Sequence, residues 1–178
     1  MKLLIIAFLC FCYFYFYRKP DLIIRENEEN MVYSPAHGHI MDIIYQNDNT
    51  ILIPIFLSII DIHYQTFPVS GKITDVVYDA TGKFHLAYQK NKSDENEKII
   101  HTMENKNGQF KIYQIAGYCT RKIDYYIKPD TKVESGELLG LIHFGSRVDL
   151  IIPKADVFKL NVVKGQYVSG SDTLIGSF

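Results

Sequence analysis

Cysteine is scarce. The chain has 3 cysteines in 178 residues, Cys10, Cys12 and Cys119, with two in an apolar head and one in the body. That count and spacing exclude a disulfide framework and a zinc-finger pattern, and no other metal-ligand spacing stands out. Charge of one sign is lacking too. The 19 basic and 20 acidic residues leave a net charge of -1, so no global positive field exists to hold nucleic acid. No glycine-rich phosphate loop follows a strand pattern, which removes the usual nucleotide and nicotinamide signatures. Beyond the head, no long segment shows clean 3.6-residue periodicity, so the body is not a helical bundle.

What is present fits one domain with a real core, since 47% of the residues are hydrophobic. Met1 to Tyr17 is almost wholly apolar or aromatic, and Arg18-Lys19 closes it. A run near the ~17-residue lower limit for spanning a bilayer reads as a hydrophobic helix and retained membrane anchor. A cleaved signal peptide is the competing reading, but no small-x-small cleavage site follows. Charged residues from Asp21 to Asn30 form a surface linker. After them come short β-branched runs separated by Gly, Pro, Asn and Asp, the mark of a β-rich body. Ile40 to Tyr45, Ile51 to Ile60, Val76 to Tyr78 and Phe84 to Tyr88 read as strands. Ile99 to Met103 and Phe110 to Ile115 form a hairpin with Asn107-Gly108 as its turn. Pro68-x-x-Gly71-x-Ile73 echoes Pro35-x-x-Gly38-x-Ile40, and the glycine spacing of Val133 to Gly140 recurs in Lys164 to Leu174.

Gly145-Ser146 joins two apolar runs, Leu138 to Ile142 and Val148 to Ile152, as a tight turn would, and spacing alone implies nothing more. In Asp61-Ile62-His63, alternation places the carboxylate and the imidazole on one side of an extended segment, where a base and its orienter belong.

Phe144-Gly145-Ser146-Arg147-Val148-Asp149 resembles the self-cleavage segment of phosphatidylserine decarboxylase proenzymes, most closely the short branch cut between glycine and serine. Further matches follow the family's order: Phe16-Tyr17-Arg18-Lys19-Pro20, Ser34-Pro35-Ala36-His37-Gly38, Phe56-Leu57-Ser58 with Asp61-x-His63, Pro68-Val69-x-Gly71-Lys72, Asn96-Glu97 and Gln114-Ile115-Ala116-Gly117. Two positions depart from the family pattern. His37 stands where the family has an aspartate that supports self-processing, and Thr66 where it has histidine or arginine.

The resemblance implies a mainly β fold, a short-stranded barrel or sandwich with barrel-sandwich-hybrid-like turn units, preceded by the hydrophobic helix. Residues 1–20 would be membrane anchor and junction, and 21–178 the catalytic domain. It implies that the Ser146 hydroxyl attacks the Gly145 carbonyl and converts amide to ester. A base then takes the Ser146 α-proton, and the ester leaves. Hydrolysis of what remains leaves a covalent pyruvoyl group, with a β chain of 1–145 and an α chain of 146–178. The expected activity is decarboxylation of phosphatidylserine to phosphatidylethanolamine. Ser146, His63, Asp61 and His37 are the expected catalytic residues, Gly145-Ser146 the cleavage site, and Arg147 and Arg121 the candidates for the substrate phosphate or carboxylate. Expected partners are a phospholipid, a membrane reached through residues 1–17, and the chain's own two pieces. Homo-oligomerisation is left open, and no metal or nucleic acid is expected. His37 and Thr66 also motivate a second reading, a family member that folds without cutting itself and serves as a membrane-bound binding or scaffold protein.

Overall fold

The computed structural model describes residues 2–80, 82, 83, 85, 95–117, 122–143 and 145–178. Arg121, Cys119, Phe144 and most of the expected Phe84–Tyr88 strand lie outside these. One helix, α1 (Lys2–Phe16), precedes fifteen strands among the described residues. They are β1 (Met31–Tyr33), β2 (Gly38–Ile40), β3 (Ile44–Tyr45), β4 (Ile51–Leu57), β5 (Tyr64–Thr66), β6 (Gly71–Asp79), β7 (Lys98–Asn105) and β8 (Gly108–Ile115). The chain continues through β9 (Ile123–Tyr125), β10 (Lys132–Val133), β11 (Leu138–Ile142), β12 (Ser146–Ile152), β13 (Lys159–Leu160), β14 (Tyr167–Val168) and β15 (Leu174–Ser177).

A long sheet runs β10-β6-β7-β8-β12-β4-β2-β14, with β3 beside β4, and two three-stranded sheets (β1-β15-β13 and β5-β11-β9) flank it. Every strand pairing among the described residues is antiparallel. The long sheet ends at β10 and β14, and no sheet among the described residues closes on itself. The architecture is therefore a sandwich-like stack of sheets. The barrel alternative is corrected, because its terminal strands are only two residues long and do not meet.

Alternation builds the core. Ile51, Ile53, Ile55 and Leu57 of β4 and Val148, Leu150 and Ile152 of β12 are fully buried, as are Phe110 and Ile112 of β8 and Ile99 and Met103 of β7 in the same sheet. Pro54 sits inside this central strand without breaking it. β2 pairs with Ile55 and Phe56, and β3 with Ile51 and Leu52, so Pro54 falls in the gap between them. Its carbonyl there accepts from Met41 N at 2.8 Å, and the missing N–H costs no ladder bond. The same gap divides the expected Ile40–Tyr45 strand in two. The β7–β8 turn is Lys106-Asn107, with Gly108 (φ 127°) opening β8, one residue earlier than the expected Asn107-Gly108.

The internal echo has a structural counterpart. Val168 pairs with Gly38 in β14–β2, and Val133 pairs with Gly71 in β10–β6. Each Pro-x-x-Gly-x-Ile unit thus binds one glycine-turn unit, and the two pairs form opposite ends of the long sheet. A side chain at Gly38 would meet the Phe56 carbonyl oxygen at 2.2 Å, and one at Gly71 that of Glu104 at 2.7 Å, so both positions need glycine for close strand contact.

The membrane-spanning anchor is overturned. No helix among the described residues is long and apolar enough to cross a membrane. The 15 residues of α1 rise about 22 Å, against an apolar bilayer thickness of about 30 Å. The helix ends because Phe16 turns into the body, where it is buried, and Tyr17 and Arg18 bond to the β scaffold.

Candidate active site

The site is built where β4, β5, β11 and β12 meet. Ser146 opens β12 opposite Leu57, the last residue of β4. Six residues beyond Leu57, the His63 carbonyl accepts from Ile142 N at 3.2 Å, at the end of β11. His63 is therefore fixed to the strand that leads into Gly145-Ser146. The two strands are joined through Gly145, whose φ is 58° with open space where a Cβ would stand. Glycine is needed there for its backbone shape, since L side chains avoid the left-handed region.

Two polar atoms in this region have no hydrogen-bond partner among the described residues: Ser146 Oγ and His63 Nε2, both fully buried. Burying an unpaired hydroxyl or imidazole nitrogen costs free energy. Thr66 Oγ1 is a third. The donor set fits a pyruvoyl precursor, because Ser146 has an uncommitted hydroxyl directly after a carbonyl in left-handed backbone.

His63 is oriented differently from the sequence-based expectation. Its Nδ1 lies 2.9 Å from the Asp61 backbone carbonyl, so Nδ1–H donates and Nε2 keeps its lone pair. The Asp61 carboxylate turns elsewhere. It accepts from Ser58 N at 2.8 Å, Ser58 Oγ at 2.7 Å and the Tyr167 hydroxyl at 3.1 Å. The expected Asp61–His63 side-chain pair is thus replaced by a main-chain contact, because Ser58 to Asp61 forms a turn and the segment is not extended. Burial pushes the His63 pKa down to about 4, against the opposing hydrogen bond and charge of Asp61, so the ring is neutral at neutral pH. Phe16 covers it, with ring centroids 4.2 Å apart.

His37 is half-buried against Gly170. Burial lowers its pKa, with the Asp61 charge opposing and the Arg18 guanidinium adding to the shift. His37, His63 and Asp61 thus share one electrostatic neighbourhood with Arg18. That arginine donates to the Tyr15 and Ile60 carbonyls, both at 2.6 Å, and has no carboxylate within ion-pair distance among the described residues. Arg147 is placed differently. It projects from the opposite face of β12 to Ser146 and is fully buried against Asp149. An aligned NH2 to Oδ2 hydrogen bond spans 3.0 Å, and Nε lies 2.8 Å from Oδ1 as an ion pair without hydrogen-bond alignment.

Residues 9–176 match the phosphatidylserine decarboxylase family. The chain belongs to that family. The phosphatidylserine decarboxylase proenzyme of Carboxydothermus hydrogenoformans is 37% identical, over 97% of this chain and 83% of that protein. That of Chlorobaculum parvum is 32% identical, over 99% and 82%. That of Streptomyces coelicolor is 37% identical over 79% of this chain, which spans 62% of that relative's length.

Several residues of this phosphatidylserine decarboxylase family member carried no chemical signal in the sequence. His143 bonds to Tyr17 and Asp124, each at 2.9 Å. Gln65 Nε2 donates to the His63 carbonyl at 2.5 Å, Gln114 Nε2 to Gln65 Oε1 at 2.7 Å, and His101 Nε2 lies 2.9 Å from Gln114 Oε1. This buried chain accounts for Gln114 in the Gln-Ile-Ala-Gly stretch. Asn96 secures the same stretch, donating to the Ala116 carbonyl at 2.8 Å. An apolar groove of about 900 Å3 runs between α1 and the Ile59-Ile60 turn, and Phe16 is part of its wall.

Proposed function

We propose that the chain is the proenzyme of a pyruvoyl-dependent phosphatidylserine decarboxylase of the short, Gly-Ser-cleaved branch. It would cut itself between Gly145 and Ser146 into a β chain of 1–145 and an α chain of 146–178. The observation that carries this is the buried, uncommitted Ser146 hydroxyl next to Gly145 in left-handed backbone. The Ser146 hydroxyl adds to the Gly145 carbonyl, and the Gly145–Ser146 amide becomes an ester. A base then removes the Ser146 α-proton, the Gly145 carboxylate leaves, and the dehydroalanine that remains takes up water and releases ammonia as it becomes the pyruvoyl group. His63 suits the base, being neutral, with Nε2 unprotonated and its tautomer fixed by the Asp61 carbonyl. Asp61 takes a supporting role, holding the Ser58–Asp61 turn that aims His63.

The pyruvoyl group, once made, supplies an electron-withdrawing ketone that takes up the substrate amine and stabilises the carbanion left by CO2. The chain's own residues do the rest. The apolar groove suits an acyl chain, and Phe16 links it to His63, so a lipid lying there brings its headgroup to the histidine. Arg18, free of carboxylate partners among the described residues, is the better cation for the headgroup anion. Arg147 serves as a scaffold residue through Asp149, and Arg121 stays a candidate outside the described residues. His37 is placed with Asp61, which lends negative charge to the neighbourhood where the family has its own aspartate.

The test is the mass of the purified protein and the N-terminal group of its small fragment. Two chains, the smaller starting in a pyruvoyl group, and an uncut Ser146→Ala variant are expected. A single intact wild-type chain with an unmodified serine and no phosphatidylethanolamine formation would leave only the scaffold reading.

A further inference from the structure

His143 stands two residues before the glycine whose carbonyl is attacked, and three separate parts of the chain hold it. Its backbone N–H donates to the Lys122 carbonyl at 3.0 Å. Its Nε2 lies 2.9 Å from Asp124 Oδ2 in β9, and its Nδ1 lies 2.9 Å from the Tyr17 hydroxyl at the end of α1. The ring is almost wholly buried, at 8% exposure. A carboxylate on Nε2 fixes the tautomer, so Nε2–H donates to Asp124 and Nδ1 accepts the Tyr17 hydroxyl proton. Donor and acceptor are matched at every link of the chain Tyr17–His143–Asp124. Asp124 is itself registered against Leu141 in β11, and its other oxygen lies 3.6 Å from Lys122 Nζ.

The same N-terminal segment is clamped twice more beside the site, by Phe16 on the His63 ring and by Arg18 on the Ile60 carbonyl. The connection from His143 to Ser146 is short, and Gly145 in it is held in left-handed backbone. An attack on the Gly145 carbonyl depends on where that connection is held, and displacement of about 1 Å at a reacting centre can cost about 100-fold in rate.

We infer that Tyr17–His143–Asp124 is the positioning device of the self-cleavage step, and that it makes the cut conditional on the N-terminal segment being seated. None of the three is a catalytic residue here. They act by holding His143, two residues before Gly145. The inference rests on the self-processing reading above.

The test follows conversion of full-length precursor into its two pieces over time by mass spectrometry. Melting temperatures are measured in parallel on the same variants in an uncut Ser146→Ala background. Tyr17→Phe and Asp124→Leu are each expected to slow cutting about 10- to 100-fold. Asp124→Asn, which can still bond the ring, is expected to stay within about threefold of wild type. Because one chain of bonds is involved, Tyr17→Phe combined with Asp124→Leu should be no slower than Asp124→Leu alone. Cutting at the wild-type rate in Tyr17→Phe overturns the inference. So does a multiplicative double variant, or a loss of rate that merely follows melting temperature. A wild-type chain that never cuts removes the functional reading and this inference together, whereas a wild type that cuts normally beside an unaffected Tyr17→Phe removes only the inference.

Discussion

The two faces of β12 treat their buried polar groups in opposite ways. On one face Ser146 is fully buried with an uncommitted hydroxyl. On the other, one residue later, Arg147 is equally buried and bound at two points to Asp149. Both residues lie on the same strand beside β4, and Arg147 is also registered against Ile115 of β8. The difference separates chemistry from architecture. The ion pair offsets part of the cost of burying both charges, whereas Ser146 Oγ is buried with no bond among the described residues to offset its desolvation. Adjacent residues of one motif thus differ in how their polar groups are met.

Substitution on each face should separate the two most sharply. Ser146→Ala is expected to abolish cutting and decarboxylation altogether. The stability of the uncut chain should be equal or slightly greater, since an unpaired hydroxyl is removed. A loss of several kcal/mol in urea unfolding would show that the hydroxyl has a structural bond after all. On the other face, Asp149→Ala removes the carboxylate that meets the buried Arg147 and is expected to cost about 3–5 kcal/mol. An apolar replacement of both partners, Arg147→Met with Asp149→Leu, should recover most of that. If Asp149→Ala in an uncut background unfolds like its parent, the pair contributes nothing and Arg147 returns as a candidate for substrate.

This comparison also shows what the sequence could and could not convey. Gly145-Ser146 was visible only through its neighbours, which matched a family, because a small pair between two apolar runs reads by itself as a plain turn. The strands with clean alternation, β4, β7, β8 and β12, were legible for the same physical reason: side chains alternate across a pleat. The surroundings of Arg147 were not legible, since a motif arginine beside a reactive serine looks like an anion binder and only the strand face shows that it meets Asp149. The Asp61–His63 pair failed because a turn from Ser58 to Asp61 rotates the carboxylate away, and alternation holds only for extended chain. His143, Tyr17 and Asp124 lie far apart in sequence, and no local pattern could have joined them. The hydrophobic head was overread, because composition registers apolar residues but not the point where Phe16 leaves the helix for the body.

The buried histidines on the Ser146 side add a pH dependence that the Arg147 side should lack. Burial lowers the pKa of His63 to about 4, and burial also lowers those of His37 and His101. Between that value and the ordinary histidine value of 6.5 the unfolded chain binds more protons than the folded one. Stability contributed by neutral His63 is therefore fully present above about pH 6.5 and is lost as the pH falls toward 4, by about 3 kcal/mol. His37 and His101 act in the same direction. Urea unfolding of the uncut Ser146→Ala chain from pH 7.5 to 4.5 should show this slope, and His63→Gln should flatten it. A slope unchanged in His63→Gln would mean that the ring is charged or exposed.

The smallest expected effect concerns the joint between the strands. Gly145 has no atom within 4 Å of where a Cβ would stand, so Gly145→Ala meets no steric obstacle. Its cost comes from φ alone: an L residue in the left-handed region is disfavoured by about 1–2 kcal/mol. In the uncut Ser146→Ala background that loss should appear in urea unfolding, with the folded spectrum unchanged. In the cutting chain the same substitution should slow cleavage, because alanine pulls residue 145 toward ordinary backbone and turns the carbonyl away from the serine. Gly38→Ala is the control of opposite kind, with ordinary φ but a Cβ only 2.2 Å from the Phe56 carbonyl oxygen, and it should disturb the sheet end far more than the cut. If Gly145→Ala neither destabilises nor slows, residue 145 does not hold its left-handed shape before cleavage, and the serine must reach its target by another geometry.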